Sequence, residues 1–72
     1  MRWEDYTRLD GTIRVRDFFH DLLPNLGESQ EGPKYSIAVK YIELVMSLSP
    51  IRSREVAATI VTQAMLMYAT KS

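Results

Sequence analysis

The sequence holds no cysteine, one histidine, one tryptophan and three glycines, and its formal net charge is zero. Without cysteine there is no disulfide framework and no thiolate metal site. A lone histidine does not anchor zinc without an unusual set of carboxylates, so no metal and no cofactor is expected. Balanced charge argues against a protein held to nucleic acid by phosphate contacts, which require an excess of Lys and Arg. The longest apolar run falls far short of the roughly 20 residues that span a bilayer. The opening MRWEDYTRLD alternates charged and aromatic residues, unlike a secretory leader. A soluble, intracellular protein is the expectation.

What is present fits one small folded domain over residues 1–72. The hydrophobic fraction of 46% is that of a chain with a core rather than a disordered one. A domain this size buries too little surface for more than a few kcal/mol of stability, so helix packing or association must supply the remainder. Charge is separated along the chain: residues 1–33 carry four basic and seven acidic side chains, and residues 34–72 carry five and two. The halves therefore differ in sign, and a dipolar domain can steer an acidic partner to its basic end.

The pattern predicts a mostly α fold, a compact bundle of three to four helices with a short extended segment near residues 12–16. Trp3, Tyr6 and Leu9 recur at helical spacing but stop at Asp10-Gly11. Thr12-Ile13-Arg14-Val15-Arg16 alternates as a strand does, giving an extended lead-in over 11–16. Phe18, Phe19, Leu22 and Leu23 then mark a helix over 17–23, ended by Pro24 and Gly27. The polar stretch at 24–34 reads as a mobile loop. Between Tyr35 and Leu48 the polar residues Ser36, Lys40, Glu43 and Ser47 form one narrow stripe on an otherwise apolar helix. That distribution predicts a central helix over 35–48, contacted on several sides. A last helix over 53–70 starts at Ser53 as N-cap, with Glu55 in its first turn. Its end, residues 64–69, is apolar all round, which leaves Leu66 or Met67 for a second chain to cover.

Three activities compete for this pattern. SPIRSREVAATI begins like the first helix of a helix-turn-helix DNA reader, but no turn and no recognition helix follow. Between Glu55 and Tyr68 only Gln63 suits base reading. For catalysis, Asp17, His20 and Asp21 are the one dense polar cluster, and they read as the solvated back of the Phe/Leu helix rather than as an acid–base pair. No phosphate loop, metal spacing or nucleophile elbow accompanies them. A non-enzymatic protein-interaction module is the reading that leads, with a homodimerising domain of a small regulatory protein, joined through residues 64–69, as its alternative and a helix-turn-helix DNA-binding protein third.

The order of Thr12, Ile13, Val15, Asp17 and Phe19, a loop bearing Gly27 and Gly32, and an apolar helix from Ile37 to Leu48 resembles the C-terminal domain of rhabdovirus phosphoproteins. The resemblance covers most of residues 12–72. It implies a viral protein of the host cytoplasm, nucleus or virion that docks on RNA-bound nucleoprotein and tethers the polymerase for transcription and replication. Docking in that family joins a basic patch to acidic loops. The positions that would supply it here are Arg14, Arg16, Lys34, Lys40, Arg52 and Arg54, with Tyr35 or Trp3 as aromatic anchor. The final helix departs from the family in being more apolar and less basic.

Overall fold

The computed structural model describes residues 1–69 and is an all-α bundle. After a single 3-10 turn at Trp3–Tyr6 come three helices, α1 (Val15–Asn25), α2 (Pro33–Leu48) and α3 (Arg54–Ala69). Position 70, read as the end of the last helix, lies outside the described residues. The extended lead-in reduces to one antiparallel bridge between Thr7 and Ile13.

That bridge closes a tight turn. The Arg8 N–H donates to the Thr12 carbonyl at 2.7 Å and the Gly11 N–H to the Arg8 carbonyl at 2.9 Å. Gly11 stands at φ +89°, a region that side-chain-bearing residues rarely enter. The Asp10 carboxylate accepts both the Thr12 N–H (2.9 Å) and the Thr12 hydroxyl (2.6 Å). Ile13 then donates its N–H to the Ile51 carbonyl at 2.7 Å, and both side chains are buried. The lead-in is thereby fastened to the loop between α2 and α3.

Helix α1 starts at Val15, two residues before the expected range, and ends at Asn25, two after it. Val15, Phe19 and Leu23 lie on one face and are fully buried. The alternation at 12–16 misleads because Val15 serves the helix face at i, i+4 and only secondarily the extended segment. Pro24 sits inside the last turn, where its ring nitrogen has no hydrogen for the His20 carbonyl. The Gln30 side-chain amide supplies the missing donor at 2.8 Å. Gly27, at φ +73°, ends the helix in a Schellman arrangement: its N–H reaches the Pro24 carbonyl (3.0 Å) and that of Glu28 reaches the Leu23 carbonyl (2.8 Å).

The expected mobile loop at 24–34 is shorter than read. Both ends belong to helices, and the connection is tied at Gln30 and again where the Tyr68 hydroxyl donates to the Ser29 carbonyl at 2.8 Å. Pro33 opens α2 at its first turn, where its missing N–H costs nothing. Ser53 caps α3 as expected, its hydroxyl oxygen accepting the Val56 N–H at 3.3 Å.

Helices α2 and α3 form the most extensive helix–helix contact, and α1 packs against both. Ala38, Ala57 and Ala64 are fully buried, small side chains that let backbones approach, with Ile42, Ile60 and Val61 filling the space between. The central role expected of the 35–48 helix is corrected here. Only Ala38 and Ile42 of α2 are buried, while Ile37, Leu44 and Leu48 are 57%, 61% and 77% exposed. The physical reason is number: α2 has two helical neighbours, against which Tyr35, Val39, Tyr41, Val45 and Met46 pack only in part, and among the described residues no third element covers Ile37, Leu44 and Leu48.

The N-terminal segment is held by titratable contacts, and Trp3 reports on it. Its ring stacks on Phe18 with centroids 3.8 Å apart, and Tyr6 meets the same Phe18 edge-on. Hydrogen bonds from the Thr12 hydroxyl and N–H hold Asp10 below the usual carboxylate range. Glu4 is lowered too, first by its own backbone N–H and then by Arg54 and Arg2. The Tyr6 hydroxyl donates to Asp21 at 2.5 Å, and this bond raises its pKa. Depressed folded-state carboxylates stabilise above their unfolded pKa of about 4 and lose that contribution as pH falls through the folded value. A raised tyrosine contributes below about pH 10 and loses its contribution as pH rises through the folded value. Trp3 fluorescence, from the chain's one tryptophan, is therefore expected to hold a plateau at neutral pH. It should shift towards solvent-exposed emission on the acid side and again on the strongly alkaline side. A flat profile at both ends would show that these contacts do not hold the segment.

Candidate partner-binding surface

The side chains expected to form a basic docking patch are not gathered into one face with free charge. Arg14 donates to Asp17 at 3.1 Å and to the Asp5 carbonyl at 2.8 Å, and its guanidinium lies 5.5 Å from the centre of the Tyr6 ring. Arg16 pairs with Glu43 of α2 at 2.9 Å. Arg54 pairs with Glu4 at 2.9 Å, and Arg52 donates through Nη1 to the Asp10 carbonyl. Four arginines thus fasten the N-terminal segment and α1 to the remaining structure. Lys40 is exposed on α2, and Lys34 is half-buried in that helix's first turn.

The two expected aromatic anchors face inward. Trp3 is spent on Phe18. Tyr35 stacks on Phe19 with centroids 6.1 Å apart, and its hydroxyl lies 2.7 Å from His20 Nδ1. Burial pushes the Tyr35 pKa up. His20 is accordingly half-buried against Tyr35, which corrects its reading as part of a solvated helix back, while Asp17 bonds Arg14 and Asp21 accepts from Tyr6. The three members of that cluster each turn to a different neighbour.

An open cleft of about 480 Å³ lies at the start of α2, lined by Glu31, Gly32, Pro33, Lys34, Tyr35 and Tyr68. Among the described residues no group of three or more His, Asp or Glu side chains is placed to hold a metal. No helix among them is long and apolar enough to cross a membrane.

At the end of α3, Ala64 is buried and Met65, Met67 and Tyr68 pack against the core, leaving Leu66 exposed at 59%. One leucine is a small surface for self-association. The Thr59 and Thr62 hydroxyls on the outer side of α3 donate to the Glu55 and Ala58 carbonyls of their own helix.

The surface that sequence reasoning missed is on α2. Ile37, Tyr41, Leu44 and Leu48 recur at spacings of four, three and four, which lines them up along one side of a helix. Three of them are more than half exposed, and Tyr41 is half-buried. The signal was in the sequence: the polar stripe Ser36, Lys40, Glu43, Ser47 is the same pattern one residue earlier, so the apolar row runs beside it. Exposed apolar side chains aligned along one helix face are candidates for contact with a partner.

Compared with protein-family models, with curated proteins and with solved structures, the chain matches none.

Proposed function

We propose that this domain is a non-enzymatic protein-interaction module whose working surface is the row Ile37, Tyr41, Leu44 and Leu48 on α2. The observation that carries the reading is that Ile37, Leu44 and Leu48 are exposed on one side of a single helix, flanking the half-buried Tyr41. Water against an apolar surface costs about 25 cal/mol per Å², so covering the row is favourable for any partner that presents a matching apolar helix face.

Docking through basic side chains onto an acidic nucleoprotein, as the resemblance to rhabdovirus phosphoproteins implies, draws less support. The guanidinium groups of Arg14, Arg16, Arg52 and Arg54 already hold carboxylate or carbonyl partners.

The test is panning a displayed peptide library on the wild-type chain, with counter-selection on the Leu44→Glu variant. Amphipathic helical peptides that bind wild type and lose at least tenfold in affinity for the variant are expected. Peptides that bind both equally, or no enrichment, would remove α2 as the working surface.

A further inference from the structure

We infer that residues 1–12 form a strap that closes over the Phe18 ring of α1 and lifts as one unit while the three helices stay folded. The boundary is sharp in the burial of the chain. None of residues 1–12 is buried, whereas Ile13 and Val15 are 2% and 0% exposed. Core packing therefore begins at Ile13, and everything before it is held from outside. Gly11 stands just ahead of that boundary, at φ +89°, where a glycine's backbone freedom suits a pivot.

The strap is held by contacts at its surface. Trp3 stacks flat on Phe18, while Tyr6 meets the same ring edge-on and donates its hydroxyl to Asp21. The Arg14 N–H donates to the Tyr6 carbonyl at 2.7 Å, and the Arg14 guanidinium to the Asp5 carbonyl at 2.8 Å. Glu4 pairs with Arg54, and the Asp10 carbonyl accepts from Arg52. Exposed polar links of this kind add little each. All of them run from the strap to residues 14–21 or to the start of α3, so lifting the strap breaks them together.

The helices are joined differently. Phe19, Leu23, Ile42, Ala57 and Ala64 are fully buried in a common core. A segment with few buried apolar contacts opens at a fraction of the free energy that unfolds such a core. Lifting the strap leaves the core intact and bares the Phe18 ring that Trp3 and Tyr6 cover. Residues 1–12 are thus a built-in cover for an aromatic patch on α1.

Native-state hydrogen exchange of the full chain, followed residue by residue in low denaturant, tests this. The Arg8, Gly11 and Arg14 N–H groups, bonded to the Thr12, Arg8 and Tyr6 carbonyls, report the strap. Those of Leu23, Ile42 and Val61, one in each helix, report the core. The strap amides are expected to share one opening, at least tenfold more frequent than that of the core and only weakly dependent on denaturant. Ile42→Val, a loss confined to the core, should speed exchange of the core amides about two- to tenfold and leave the strap amides unchanged. Trp3→Ala should speed the strap amides about fivefold or more, because it removes the ring that stacks on Phe18. Strap and core amides with one common protection, both responding to Ile42→Val, would overturn the separate opening. Strap amides with unrelated rates, or indifferent to Trp3→Ala, would overturn the single unit closed on Phe18.

Discussion

Phe19→Ala is expected to leave the chain largely unfolded at 37 °C. Phe19 is the largest of the fully buried side chains. It meets the ring of Tyr35 in a near-parallel stack and that of Tyr68 edge-on, with centroids 6.1 and 6.5 Å away. Through those two rings it joins α1 to both other helices. Truncating a buried phenylalanine costs about 3–5 kcal/mol, part transfer and part cavity. A domain of this size rarely holds more than about 3–5 kcal/mol in total. The lost volume cannot be refilled easily, because Tyr35 is held at His20 and Tyr68 at Ser29 through their hydroxyls. The melting temperature, followed by far-ultraviolet circular dichroism, should fall by about 20 °C. Phe18→Ala is the comparison, since that ring is half-buried against Trp3 rather than between helices, and its effect should be clearly smaller. Equal losses for the two variants, or a shift of only a few degrees for Phe19→Ala, would mean that the core is not organised around this ring.

The helices were legible in the sequence because their signals are local. The Phe18/Phe19 and Leu22/Leu23 pairs, the Ser53 cap and the glycine at position 27 each specify a turn or a face by themselves. The ends of α1 were not legible. Val15 looks like part of a strand until Phe19 and Leu23 are seen on the same face, and Pro24 looks like a stop until Gln30 is seen to satisfy the His20 carbonyl. That hydrogen bond crosses ten residues, and no pattern over neighbouring positions contains it. The all-α class survives such errors because it depends on the periodicity of long segments, not on their boundaries.

The interaction surface was less legible for a related reason. Apolar excess in α2 has two physical outcomes, burial by more neighbours or exposure to a partner, and only the number of neighbours decides between them. With three helices in the bundle, Ile42 is buried and Leu44 is exposed although the two are equally apolar. Arginines carry the opposite ambiguity. Arg14, Arg16, Arg52 and Arg54 attract attention as a basic set, but each is within reach of an acceptor that lies at a different distance along the sequence, from three residues for Arg14–Asp17 to fifty for Arg54–Glu4. The long-range ones, Arg16–Glu43, Arg52–Asp10 and Arg54–Glu4, are invisible until the chain is folded.

This reassignment changes what charge reversal at Arg52 and Arg54 measures. Arg52→Glu/Arg54→Glu is expected to loosen the N-terminal segment whether or not any partner is present. Arg52 approaches the Asp10 carbonyl past Gly11, where even a methyl group would sit 3.4 Å from its Nη1 atom. Reversal removes this charge-assisted hydrogen bond and sets a carboxylate against a carbonyl oxygen. At position 54 it sets one carboxylate against Glu4. The first change should dominate, at about 1–2 kcal/mol, because hydrogen bonds from charged donors outweigh exposed ion pairs. The melting temperature should then fall by about 4–12 °C. Amide exchange should rise at Arg8, Gly11 and Ile13, whose N–H groups close the turn and dock it, and Trp3 emission should move towards the solvent-exposed value. Arg54→Glu alone should change little. An unchanged Trp3 spectrum with normal exchange at residues 8–13 would show that the arginines do not latch the segment, and would return them to the surface as free positive charge.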